Sequence, residues 1–217
     1  MAKVIQSSTP VGRDASAKAS PWGIKEVITT VLLSVLIIVL QLAVASLSVF
    51  SIDFSMVAST ALACFVAAPV FMLMTMRVRK FGTTIILAAL TSLAFCAMGN
   101  YWYMVPFYLA GGLVVDLMLL KQEWRIDPNR VCLAWTVYSA MYVASSLLPI
   151  AINVNAYVEE ATTVRMLDQS YIDAYLFYFG QVEWIVGIVA LTALGGFLGS
   201  LLGKRMTRKH FEKAGVL

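Results

Sequence analysis

The apolar positions of this chain gather in long runs free of charge. Residues 27–52 and 54–76 hold no Asp, Glu, Lys or Arg, and neither do 81–115, 131–158 and 184–203. A helix needs about 20 apolar residues to cross roughly 30 Å of hydrocarbon. The third run, carried past Asp116 to Leu120, is too long for one crossing. It breaks at Gly99-Asn100, a pair with turn chemistry, and leaves two helices of near-minimal length. The pattern predicts an all-α membrane protein, a six-transmembrane-helix bundle with spans near 27–50, 54–76, 82–98, 101–120, 131–151 and 182–203.

Composition agrees with the runs. Hydrophobic residues make up 60% of the 217 and charged residues 13%, against about 25% charge in a soluble globule. The net charge of +4 could suggest nucleic acid, but its placement points to a bilayer. Lys3, Arg13, Lys18 and Lys25 precede the first run, and Arg77, Arg79 and Lys80 fill one gap. Lys121, Arg125 and Arg130 fill another, and Lys204, Arg205, Arg208, Lys209 and Lys213 close the chain. Of the 16 basic residues only Arg165 falls elsewhere. Basic residues in alternate connections place those connections and both termini in the cytoplasm.

Three segments follow: a polar cytoplasmic stretch 1–23, a transmembrane domain 24–203 with an extracellular loop 152–181, and a basic tail 204–217. The polar start and the length of the first apolar run argue against a cleaved signal peptide. The tail's basic cluster suits anionic inner-leaflet lipid or a cytoplasmic partner. The outer side holds Asp53, Glu159, Glu160, Asp168, Asp173 and Glu183 against the single Arg165.

Several chemistries lack their residues. The one histidine, His210, lies in the tail, so nucleophilic catalysis within the membrane has no imidazole base, and a HExxH site is impossible. No glycine-rich phosphate loop with its lysine is present. Cys64, Cys96 and Cys132 fall within or at the ends of spans, where cysteine acts as a small hydrophobe. We therefore expect no enzyme, cofactor or metal. Asp116 is the one ionisable residue inside a span, a functional-site hypothesis by default. It lies five residues from Lys121, about 7 Å of helix rise. It reads either as an interface or helix-contact carboxylate or as a partner for an arginine on another subunit.

Two surfaces remain. Gly195, Gly199 and Gly203 recur every four residues and form a smooth stripe, with weaker small faces at Thr30 and Ser34 and at Gly111-Gly112. Such faces let helix backbones approach closely, either within the bundle or against a separate subunit. At the outer rim stand Asn100, Tyr101, Trp102, Tyr103 and Tyr108, then Asn153, Asn155 and Tyr157, then Tyr171, Tyr175, Tyr178, Gln181 and Trp184. The three later tyrosines share one face if 161–178 is helical. Rings at a membrane interface can be an anchoring belt. Amides and carboxylates among them also suit a ligand pocket, where a few polar groups orient an apolar body, under a lid formed by 152–181.

Met98-Gly99-Asn100-Tyr101-Trp102-Tyr103, Gly111 to Asp116, and the ending Gly195-Gly196-Phe197-Leu198-Gly199 through Gly203-Lys204-Arg205 to Gly215 resemble the Trep_Strep (MptD-like) family, linked to the S components of energy-coupling factor (ECF) transporters. The resemblance runs over roughly residues 24–215. It implies a multi-pass protein of the bacterial cell membrane that captures a vitamin-like or cofactor-like molecule outside the cell. It also implies partners, a transmembrane T subunit and two cytoplasmic ATPase subunits, on which the S component docks and topples. Thr30 and Ser34 stand where S components carry a small-residue docking face, and Gly195, Gly199 and Gly203 offer another. The substrate-binding expectation falls on Asn100, Tyr101, Trp102, Tyr103, Tyr108, Asn153, Asn155, Tyr175, Gln181 and Trp184, around a planar or aromatic ligand. A tetrapyrrole is conceivable from Met98 and Met104, although no outward histidine could ligate its metal. The rival expectation is a non-transport scaffold that associates through its glycine-rich helix faces.

Overall fold

The computed structural model describes residues 21–207, which are helical almost throughout and contain no strand. In chain order the helices are α1 (Ile24–Ser46), α2 (Ile52–Val57), α3 (Ser59–Val78), α4 (Thr83–Ala97), α5 (Met104–Met118), α6 (Gln122–Ile126), α7 (Pro128–Ala144), α8 (Leu148–Thr163), α9 (Gln169–Gly180) and α10 (Val182–Met206). Most of the 1–23 segment and the tail beyond Thr207, with His210 and Lys213, lie outside the described residues.

Every apolar run is helical. Four stretches are long and apolar enough to cross a membrane: Ile24–Ser46, Ser59–Val78, Pro128–Thr163 and Val182–Met206. Thr83–Ala97 and Met104–Met118 are apolar but shorter, at 15 residues each. Between those two, Gly99 takes φ +90, a left-handed conformation that glycine adopts without a Cβ penalty. Large apolar side chains remain on the outside, among them Ile28, Leu32 and Val39 of α1 and Val186, Leu194 and Leu198 of α10. A water-soluble surface would not carry such a band; hydrocarbon accommodates it.

Helix α3 is the hub, packing on α1 and α10, while α10 also packs on α7 and α4 on α5. Its neighbours come close because they are small where they meet it. A Cβ at Gly195 or Gly199 would run into the Ala61 or Phe65 carbonyl oxygen, and one at Gly203 would sit 2.9 Å from the Pro69 Cα. Thr30 and Ser34 are wholly buried, the Ser34 hydroxyl 3.5 Å from the Met74 Sδ. Of the five residues expected to dock another subunit, Gly195, Gly199, Gly203 and Ser34 face α3 of this chain, and the Thr30 hydroxyl donates to the Glu26 carbonyl. At the centre Trp135 donates to the Cys64 carbonyl (3.0 Å) and its ring lies 4.4 Å from Phe71.

Segment 152–181 departs from the expected loop. Helix α8 continues to Thr163 and α9 covers 169–180. Inside α8, Asn153 leaves helical geometry (φ −164, ψ 100), and its carboxamide oxygen accepts from the Ala156 N–H at 3.1 Å. The amide restarts the helix as an N-cap does. Asp168 starts α9 the same way, accepting from the Ser170 N–H at 2.8 Å. Met166, at φ 50, turns the chain between the two helices.

The bundle has two unlike ends. At one, Lys80 nears Glu26, Lys204 donates to Asn129, and Arg125 pairs with Asp116. This basic end joins the starts of α1, α4 and α7 to the ends of α3, α5 and α10. The aromatic end joins the α4–α5 turn, α2, α8 and α9.

Candidate functional site

Three adjoining cavities open at the aromatic end, and Asn100 lines all of them. The first, about 460 Å³, lies between the α4–α5 turn and α8, with Tyr101, Trp102, Tyr103, Asn153, Tyr157 and Glu160 in its wall. The second, about 240 Å³, is bounded by Tyr101, Met104, Tyr108, Ser145, Arg165, Tyr171 and Tyr175. The third, about 310 Å³, runs under α9 between Phe95, Tyr108, Tyr142, Ser146, Tyr175 and Phe179.

The rings hold one another in place. Tyr101 stacks on Tyr103 at 4.9 Å, and Tyr157 on Tyr175 at 4.7 Å. Offset and tilted pairs of this kind contribute about 0.5–1.5 kcal/mol each beyond their burial. Polar groups fix the deeper wall: the Tyr108 and Ser145 hydroxyls are hydrogen-bonded at 2.9 Å, and the Tyr175 hydroxyl donates to the Ser146 carbonyl. The Tyr101 hydroxyl is buried with no partner among the described residues. Burial pushes the Tyr171 and Tyr175 phenols above their ordinary value, so both remain neutral donors at pH 7.

Two contacts tie the roof down. The Tyr178 hydroxyl donates to Asp53 at 2.8 Å, joining α9 to α2. Arg165, in the α8–α9 connection, donates to the Gly99 carbonyl and lies 4.6 Å over the Tyr101 ring.

Of the residues expected at the site, Asn100, Tyr101, Trp102, Tyr103, Tyr108, Asn153 and Tyr175 line these cavities. Trp102 does so only at the rim, 78% exposed. Asn155, Gln181 and Trp184 line none of the three and are exposed. Trp184 instead packs its ring edge-on to Tyr178 at 4.9 Å. The Asn153 carboxamide oxygen is engaged by its own helix, which leaves its NH₂ for anything in the first cavity. Sequence reasoning did not single out Ser145, Ser146, Tyr142 or Phe179. The signal available for the serines was a polar pair inside an apolar run.

Asp116 belongs to a second buried site at the basic end. Helix α4 begins after Gly82, whose φ of +95 and missing side chain leave its first N–H groups without a cap. The Asp116 carboxylate supplies one, accepting from the Thr84 and Ile85 N–H groups at 3.0 Å each. Arg125 donates to its other oxygen at 2.8 Å, and both residues are 0% exposed. The arginine partner entertained for another subunit is thus supplied by this chain, from α6.

A family model described as "Hypothetical bacterial integral membrane protein (Trep_Strep)" matches residues 24–213. No curated protein and no solved structure matches the chain.

Proposed function

The chain belongs to the Trep_Strep family of bacterial integral membrane proteins, and from that premise we propose that it is the substrate-binding (S) subunit of an ECF-type importer. It crosses the bilayer six times with both termini in the cytoplasm. Its aromatic end faces outward and captures a vitamin-like or cofactor-like small molecule with a planar or aromatic body. It performs no covalent chemistry; ATP hydrolysis belongs to two cytoplasmic ATPase subunits reached through a T subunit.

The observation that carries the reading is the group of three cavities meeting at Asn100, at the end away from the basic clusters. A belt that only anchored the bundle would turn its rings to lipid, whereas Tyr108, Tyr157 and Tyr175 are buried around open volume. Amides and hydroxyls aimed into such a volume bind more strongly than in water, because the local dielectric is low. Basic clusters at the opposite end support this orientation through the positive-inside rule. The scaffold alternative leans on the glycine faces, and α3 covers the stripe at Gly195, Gly199 and Gly203.

The test is co-purification from a native membrane followed by mass spectrometry of retained small molecules. A T subunit, two ATPases and a bound aromatic compound are expected. Asn100→Ala should weaken that compound about tenfold or more, as expected when a polar anchor in a dry site is lost. Absence of the partner subunits together with unchanged affinity in Asn100→Ala would overturn the proposal.

A further inference from the structure

We propose that Arg165 selects ligands carrying an anionic group, a carboxylate or a phosphate, on the aromatic body; the proposal rests on the ligand site described above. Among the residues lining the second and third cavities, Arg165 alone carries charge. Its guanidinium lies 4.6 Å from the ring centre of Tyr101, whose buried hydroxyl is unpartnered among the described residues, and both line the 240 Å³ cavity. Two donors of complementary shape therefore border a volume containing no carboxylate. An arginine fork matches carboxylate and phosphate geometry in a way a lysine cannot.

The present partner of Arg165 is a weak competitor. Glu160 stands 3.7 Å from its Nε, with the two side chains 24% and 39% exposed. That separation exceeds a normal N–H···O bond, and such half-exposed pairs contribute little. A ligand anion can take its place while the Gly99 carbonyl continues to hold the arginine in position. A cationic ligand would find rings in these cavities but would meet Arg165 already on Tyr101, with no acid lining the second or third cavity to offset the repulsion. The surrounding acidic residues, Asp53, Glu159, Asp168, Asp173 and Glu183, repel anions generally, so a selective anion site on this face requires a local cation.

The experiment uses three probes sharing one ring system, 2-naphthoate, 2-naphthyl phosphate and 2-naphthamide, titrated against the detergent-purified full chain by tryptophan fluorescence and thermal shift. At least one anion should bind about tenfold more tightly than the amide, as charge-assisted bonds to a desolvated group imply; which anion wins identifies the group. Arg165→Gln should erase the preference, so that anion and amide bind alike, and Arg165→Lys should retain part of it. Glu160→Gln should tighten the preferred anion several-fold by removing its competitor. Equal binding of anion and amide to the wild type, or a preference that survives Arg165→Gln, overturns the selection while leaving the cavity reading intact. Failure of all three probes to bind removes the cavity reading and this inference with it. Should Arg165→Gln not fold, unchanged anion affinity in Glu160→Gln overturns the proposal by itself.

Discussion

Replacing Asp116 by Asn tests the linkage that holds the basic end together. The substitution keeps the shape and an oxygen that can still accept from Thr84 and Ile85, so the α4 cap persists in weakened form. It removes the charge facing Arg125, a residue 0% exposed whose Nη2 also donates to the Asp116 carbonyl at 3.3 Å. Breaking a buried pair by deleting one partner costs about 3–5 kcal/mol, because the remaining ion is left without compensation. Arg125→Met should cost less, since the carboxylate keeps two backbone N–H donors at a helix N-terminus, where negative charge is favoured. Combining the two substitutions should recover part of the sum, because no unpaired charge then stays buried. The assay is thermal and denaturant unfolding in detergent across this double-mutant cycle. The affinity of the aromatic-end cavities for a bound ligand serves as an internal control and should stay unchanged. A loss below about 1 kcal/mol in Asp116→Asn, or strict additivity in the double mutant, would refute the account, since residues in direct contact should couple.

Gly199→Ala should destabilise by about 1–3 kcal/mol, as overpacking does, because the new methyl meets the Phe65 backbone; Gly187→Ala, with open space around its Cβ, should be neutral or raise the melting temperature. The Asp168 carboxyl sits below its usual range because Ser170 donates to it from both Oγ and N–H. Its contribution to α9 is therefore present above the unfolded-state value of about 3.9 and is lost as pH falls through the lowered folded value. Amide exchange in 169–172 should be faster in Asp168→Ala than in the wild type at pH 7, and the gap should close in strong acid. Single cysteines placed at exposed Asn155 or Asp173 should react with impermeant reagents added outside intact cells; labelling only from the cytoplasmic side would invert the proposed orientation.

The helices were legible because each apolar run is bounded by charge or by a turn pair, and Gly99 turns the chain where Gly99-Asn100 marked it. The Asp168 cap and the shared face of Tyr171 and Tyr175 could also be anticipated from spacing. What escaped depended on pairing distant parts of the chain. Nothing in the sequence of 121–130 separates Arg125 from Lys121 or Arg130, yet only the first reaches inward, to Asp116. The glycine stripe was plain as a smooth face, but its partner depends on where α3 lies, and small-residue faces read the same whether they meet a neighbour or a second protein. Segment 152–181 looked like a loop because its charged and apolar residues alternate without a long run. Its two helices are started by side-chain caps at Asn153 and Asp168 rather than by hydrophobic length.

The two ends of the molecule use opposite solutions to the problem of polar groups in an apolar bundle. At the basic end every oxygen of Asp116 is occupied, by two backbone amides and an arginine from the same chain. Both carboxylate oxygens are thus taken and leave no acceptor for a ligand, although the Arg125 Nη1 stays without a partner among the described residues. At the aromatic end the Tyr101 hydroxyl has no partner among the described residues, the nearest carboxylate stands 3.7 Å from the Arg165 Nε, and stacked rings border open volume. An unpaired buried hydroxyl costs stability, and at Tyr101, which lines open volume, a bound polar group would offset that cost. The charge of Asp116 marks it as a site, yet the helix start and the arginine that take up its carboxylate make it structural. The aromatic rim, with its open volume, is where binding is expected.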